Sequence, residues 1–202
     1  MLVLFTALLG LGSVAHSTNA NVWLRADSYP KQPNGAVASD DARIELTVDA
    51  AGKVLRCSIV NTTPERPIDP IFCRIPLAKA HFRPALDEAG MPVASVVARN
   101  FYSRFDQYAH GSPWVDYVLQ VDPMPRLRFP FAELRIVIGT TDAVESCVIQ
   151  TGSGSSALDR LACLHTRTTI KLAPTPGADG LPVRTLRIIR VGFVFAAARP
   201  TN

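Results

Sequence analysis

The sequence predicts an α+β fold of two repeated strand–strand–helix–strand units, each an antiparallel sheet with one packed helix. The first observation is that the chain repeats itself at an offset of 90 residues, which aligns Gly90 with Gly180 and Pro92 with Pro182. The second is that each copy carries two cysteines sixteen residues apart. The third is a hydrophobic pattern that alternates along the proposed strands and has helical spacing between them.

The first copy opens with Arg43–Val48, where polar and apolar residues alternate as in a half-buried strand. Ile68–Ala80 has apolar residues near helical spacing, although Pro70 and Pro76 should shorten or kink the helix. The other expected elements are a turn at Asp49–Gly52, a second strand at Val54–Val60 and a third strand at Met91–Phe101.

The second copy predicts the same order of elements. Two strands are expected at Leu134–Ile138 and Val144–Ile149, and Ser155 or Ser156 is suited to cap the helix that follows. A long last strand is expected at Pro182–Phe195. The predicted organisation is a signal peptide at 1–20, the first repeat at 21–102, a connector rich in proline and aromatic residues at 103–131, and the divergent second repeat at 132–202.

The four cysteines predict two disulfides, one in each copy. A unit of roughly 60 residues buries little apolar surface, and a disulfide that closes a loop of about 15 residues adds about 3 kcal/mol. A zinc site is the alternative, but zinc usually takes more closely spaced cysteine pairs. The predicted pairs are Cys57 with Cys73 and Cys147 with Cys163.

The N-terminus resembles an export signal. Leu2–Leu11 is apolar, and small residues that end at Ala15 or Ala20 offer two cleavage sites. A basic stretch before the apolar run is missing, and the run is shorter than the roughly 20 residues of a membrane span. We therefore expect a cleaved signal and an exported protein, with an uncleaved membrane anchor as the alternative.

The positive charge lies in the C-terminal part of the chain. Residues 1–125 hold 11 Lys or Arg against 12 Asp or Glu, whereas residues 126–202 hold 10 against 5. A basic face of this kind favours an anionic envelope polymer or an acidic protein strand, although a solvated strand face explains it equally well. Basic and aromatic residues do not interleave as in nucleic-acid binders, so no nucleic-acid partner is expected.

Several runs in the first copy resemble the TonB C-terminal domain. They are Thr47–Val54 with its turn glycine, Cys57-x-Ile59, Asp69 and Cys73, Phe82–Ala85, and Asp87 to Val93, preceded by Tyr29-Pro30. In the second copy, Gly152 to Cys163 resembles the serine–glycine loop and cysteine of the cysteine-bearing relatives. Asp142 replaces the turn glycine there, and Leu172-Ala-Pro replaces phenylalanine-arginine-proline. The resemblance covers about residues 27–102 well and 132–195 more loosely.

The resemblance implies a periplasmic module of Gram-negative bacteria that captures an extended protein segment by adding it as a strand to a sheet edge. The implied edge is the third strand of either copy, with a protein of the periplasm or outer membrane as the partner. The residues assigned to this edge are Val93, Ser95, Val97, Arg99, Val183, Arg184, Arg187 and Arg190. The chain lacks the convincing anchor and the proline-rich spacer of TonB, which argues against energy transduction.

No catalytic, metal or cofactor site is expected. Gly152–Ser156 lacks the lysine of a phosphate loop, and no nucleophile–histidine or paired-carboxylate set recurs in both copies. We therefore expect a protein that is not an enzyme. The alternative to partner capture is a structural or assembly protein, in which the two copies pair with each other or with a second chain as a homodimer.

Overall fold

The computed structural model describes residues 12–23, 42–60, 69–101, 115–122, 125, 127 and 131–195. Within these residues the protein is a mixed α+β fold, mostly sheet with three helices. The N-terminal elements are β1 (His16–Ser17) and α1 (Ala20–Trp23). The first half contains β2 (Ala42–Val48), β3 (Val54–Ile59), α2 (Asp69–Lys79), β4 (Phe82–Arg83), β5 (Ala85–Leu86) and β6 (Pro92–Phe101). β7 (Tyr117–Val121) precedes the second half, which contains β8 (Phe131–Ile138), β9 (Val144–Thr151), α3 (Ser156–Thr168), β10 (Thr175–Pro176), β11 (Pro182–Val183) and β12 (Thr185–Phe195).

One sheet runs through both halves, with its strands in the order β3-β2-β6-β12-β8-β9. Within each half, neighbouring strands on this path are antiparallel. The halves meet where β6 and β12 pair in parallel over 94–96 and 185–187, and we call this pairing the seam. β7 pairs in parallel with the later part of β12, over 191–195.

The two long helices cover opposite faces of this sheet. Ser95 pairs with Leu186 at the seam, so their side chains share a face, and Leu186 belongs to the core that contains Phe72 of α2. Ile189 and Leu158 of α3 belong to the other core. Because side chains alternate along a strand, Leu186 and Ile189 point to opposite faces. Each half thus keeps its own core on its own side of the shared sheet.

The disulfide prediction is confirmed, because both predicted cysteine pairs are bonded. Cys57 and Cys73 have Cα atoms 5.3 Å apart and join β3 to α2. Cys147 and Cys163 have Cα atoms 5.8 Å apart and join β9 to α3. Each bond fastens a helix to an outer strand of the sheet.

The start of α3 differs from the capping prediction. Ser155 takes the N-cap position, but its side chain makes no capping hydrogen bond. Instead, Oδ1 of Asp159 accepts hydrogen bonds from the backbone N–H of Ser153 at 2.9 Å and from its hydroxyl at 2.7 Å. A Cβ atom at Gly152 would lie 2.7 Å from Oδ2 of Asp159, so a larger residue there would have to displace the carboxylate. The Gly-Ser loop is thus held by a buried carboxylate.

Part of the predicted signal peptide packs into the first half. β1 pairs with β4, and Ser13 exchanges two backbone hydrogen bonds with Leu86. Trp23 is fully buried, with its ring 6.1 Å from that of Phe82. Removal of 1–20 would take away the β1 strand together with the backbone hydrogen bonds of Ser13. Residues 1–11 lie outside the described part.

Candidate functional site

The third strands do not form a free edge over the seam, which corrects the predicted binding surface. Ser95 of β6 pairs with Leu186 of β12, and β6 pairs with β2 on its other side. Val93 pairs with Ala85 and is buried, as is Val97. The predicted edge was assigned from one copy at a time, whereas here the two copies pair with each other over 94–96 and 185–187.

The arginines of the second half that were assigned to the edge form ion pairs with carboxylates of the same chain. Arg184 donates to Oδ2 of Asp87 and to Oε2 of Glu145, both at 2.7 Å. The hydrogen bond to Glu145, more than that to Asp87, raises the Arg184 pKa above its ordinary value. Arg187 forms an ion pair with Glu45, which lies in the first half.

Arg190 and Val183, two further residues of the predicted edge, also have partners within the protein. Arg190 pairs with Glu133 at 2.7 Å, and its guanidinium lies 5.0 Å from the centre of the Phe131 ring. Val183 pairs with Thr175 in the short β10–β11 hairpin rather than with a strand of the other half. Arg184, Arg187 and Arg190 are therefore matched to carboxylates rather than presented as a free basic face.

The outer strands of the sheet path are β3 and β9, and each has one neighbour on that path. An edge strand leaves alternate backbone N–H and C=O groups without a partner in the sheet, and these groups can pair with an added strand. Beside β9 lies a cavity of about 670 Å³ between the strand and α3. We call it the β9–α3 groove.

The groove is apolar at its base. Its apolar lining comprises Val144, Cys147, Ile149, Cys163 and Leu164. The Cys147–Cys163 disulfide therefore forms part of the base and fixes the distance between strand and helix. Leu164 is 60% exposed, so its side chain is available to an apolar group that enters the groove.

The polar lining of the groove is basic. Arg160, Arg167 and Thr168 complete it, all from α3. Neither arginine forms a salt bridge within the described residues, in contrast to the three arginines of β12 and its neighbourhood. The described lining includes no carboxylate, so the groove carries net positive charge.

Sequence reasoning missed this groove because a single copy gives no sign of which edge stays open. The repeat alignment contains one difference that points to the groove. Leu164 aligns with Arg74 of the first copy, and Arg167 aligns with Leu77. The swap places an exposed leucine beside the disulfide in the second half. In the first half the described cavity near α2 has a different lining, which includes Leu77, His81 and Phe82.

The described residues contain no group of three or more His, Cys, Asp or Glu side chains arranged to hold a metal ion. No helix in the described ranges is long and apolar enough to cross a bilayer. No protein-family model, curated protein or solved structure matches this chain.

Proposed function

We propose that this protein is a non-enzymatic binding module that captures an extended, acidic protein segment as an added strand on β9, within the β9–α3 groove. The observation that carries the proposal is the groove itself, an apolar base between an outer strand and a helix, bordered by two arginines that form no ion pair with a carboxylate among the described residues. Grooves between an edge strand and a helix suit peptides that bind by strand addition.

Main-chain pairing and side-chain contacts would act together at this site. The β9 backbone would supply hydrogen bonds that do not depend on the partner's sequence, and alternate side chains of the added strand would face the groove. Apolar side chains would contact Leu164 and the disulfide, while Asp or Glu side chains would pair with Arg160 and Arg167. The partner is therefore an acidic segment with interspersed apolar residues.

The resemblance to the TonB C-terminal domain supports the same mode of binding and a periplasmic location, with two tandem copies of one unit. The two disulfides are compatible with an exported protein, because such bonds persist in oxidising compartments. In this proposal the binding edge moves from the third strand to the second strand of the second copy, since the third strands pair with each other.

The test is selection of peptides from a displayed random library on the oxidised full-length protein, followed by measurement of affinity with synthetic copies. We expect selected peptides to contain Asp or Glu together with apolar residues. Leu164→Glu should weaken their binding at least tenfold, because it places a carboxylate at the mouth of the groove. Failure to enrich any peptide above background would contradict the proposal.

The matched control is Leu181→Glu, since Leu181 is 64% exposed and lies in the turn before β11, outside the groove lining. This variant should bind selected peptides as the wild type does. Equal loss in both variants would place recognition elsewhere.

Arg160→Glu with Arg167→Glu should reverse the preference for acidic peptides if these arginines select the partner.

A structural or assembly role is the second candidate, and the seam favours it because the two copies already use each other's third strand. Sedimentation at rising protein concentration separates the two proposals. If the wild type self-associates and Leu164→Glu does not, a second copy of the chain occupies the groove.

A further inference from the structure

We propose that the cleft where β6 and β12 separate is a second binding site, which takes a small carboxylate anion on Arg99 and Ser95. The pairing of the two strands ends after Val96 and Arg187, and β12 then pairs with β7. A cavity of about 260 Å³ lies beyond the end of this pairing. It lies far from β9 in the strand order, so it is separate from the groove.

Arg99 supplies the unpaired positive charge of the cleft. Three arginines line the cavity, and two of them are paired, Arg43 with Asp116 and Arg190 with Glu133. Arg99 is half-buried, donates one hydrogen bond to the carbonyl oxygen of Ala98 and forms no ion pair with a described residue. Burial alone lowers its pKa from the ordinary value, without a carboxylate to oppose the shift.

Ser95 supplies a hydroxyl without a hydrogen-bond partner. Its residue is 1% exposed, lines the cleft, and has an Oγ atom that meets no donor or acceptor among the described residues. Thr185, which the repeat offset places at the equivalent position, instead donates its hydroxyl to the carbonyl oxygen of Val183 at 2.9 Å. A buried polar group without a partner costs stability, so a ligand oxygen that accepts from Ser95 would be favoured.

Ser95 and Arg99 stand on the same face of β6, because side chains alternate along a strand. The β6 backbone beyond Val96 pairs with β2 alone, so alternate N–H groups there also point toward the cleft. One guanidinium, one hydroxyl and backbone N–H groups together match a carboxylate, which accepts several hydrogen bonds. Among the described lining residues, three arginines stand against two carboxylates, and this balance favours an anion of a single charge.

The test is an NMR titration of the oxidised full chain with acetate, against sodium chloride at equal ionic strength. Saturable shifts of the amides of Ser95, Val97 and Arg99 are expected. Arg99→Gln should weaken acetate binding at least tenfold, and Ser95→Ala by a few-fold. Arg167→Gln, which changes the β9–α3 groove alone, should bind acetate as the wild type does.

Two further titrations identify the chemical class of the ligand. A blocked tripeptide with a free C-terminus, compared with its amide, shows whether a chain end is a better source of the carboxylate than a free acid. Phosphate should bind more weakly than acetate, because one unpaired arginine balances one charge. Absence of saturable shifts, equal binding in Arg99→Gln, or a preference for phosphate would overturn the proposal. If Arg99→Gln does not fold, Ser95→Ala and Arg99→Lys decide the same question.

Discussion

Arg43 donates a hydrogen bond to Oδ1 of Asp116 at 3.0 Å, and this contact joins β2 of the first half to the segment before β7. The other carboxylate oxygen, Oδ2, accepts the backbone N–H of Arg190 at 2.7 Å. The backbone N–H of Asp116 in turn donates to the carbonyl oxygen of Arg190. One carboxylate therefore ties both halves together at the end of the cleft.

Asp116→Ala should destabilise the protein by about 3 kcal/mol, because it removes a carboxylate that forms an ion pair with the buried guanidinium of Arg43 and accepts the backbone N–H of Arg190. Chemical denaturation of the oxidised protein measures the effect. The control is Asp142→Ala, whose ion pair with Lys171 is exposed, and it should cost under about 1 kcal/mol. Equal effects of the two variants would show that Arg43 does not depend on Asp116.

Loss of either disulfide should lower the free energy of unfolding by about 3 kcal/mol, since each closes a loop of sixteen residues. Paired replacements, Cys57→Ser with Cys73→Ser and Cys147→Ser with Cys163→Ser, allow each bond to be tested alone. The second pair should also weaken peptide binding, because that bond forms part of the groove base. Peptide mapping that joined Cys57 to Cys147 would contradict the assigned bonds.

Residues 12–23 should be needed for stability of the first half. Trp23→Ala should cost about 3–5 kcal/mol, because it empties a fully buried site beside Phe82. A chain that begins at residue 12 should retain this packing, whereas one that begins at residue 21 loses β1. Equal melting temperatures of these two shortened chains would show that the N-terminal segment contributes nothing to the fold.

Asp87 should make stability depend on pH in the acid range. The backbone N–H of Met91, and then Arg184, lower its pKa below the ordinary value of a carboxyl group. A lowered pKa in the folded state stabilises the protein above the unfolded pKa of about 3.9, and the contribution is lost as pH falls through the folded value. Asp87→Asn should therefore be less stable than the wild type at pH 7, and the difference should shrink as the pH falls through the lowered pKa of Asp87.

The carboxyl resonance of Asp87 gives an independent measurement by NMR. Arg184→Gln should leave part of the lowering of the Asp87 pKa in place, because the Met91 N–H still donates to the carboxylate. A titration midpoint for Asp87 at or above the ordinary carboxyl value would contradict the assigned hydrogen bonds.

The sequence was most informative where local chemistry fixes the structure. The alternating pattern placed the first strand at Arg43–Val48, and the structure has it at Ala42–Val48. Ile68–Ala80 became α2 at Asp69–Lys79, with Pro76 inside the helix. Strand alternation and helical spacing are local signals, so the sequence predicts the bounds of these elements to within one residue.

The arrangement of the two halves could not be predicted from such local patterns. The seam depends on contacts such as Arg187 with Glu45, which are 142 residues apart in the chain. A repeat pattern describes each copy but not the strands by which the copies pair. The predicted free edge was therefore assigned to β6 and β12, which pair with each other at the seam. The cleft follows from the same contacts, since it opens where that pairing ends.

The seam pairs the third strands with each other over 94–96 and 185–187, whereas β9 has a single neighbour among the described strands of the sheet path. Amide hydrogen exchange, followed by NMR on the oxidised protein, tests it residue by residue. The account predicts slow exchange for Ser95, Val96, Leu186 and Arg187, and fast exchange for alternate amides of β9, which have one neighbouring strand on the sheet path. Exchange at the four seam amides as fast as at the open side of β9 would contradict it.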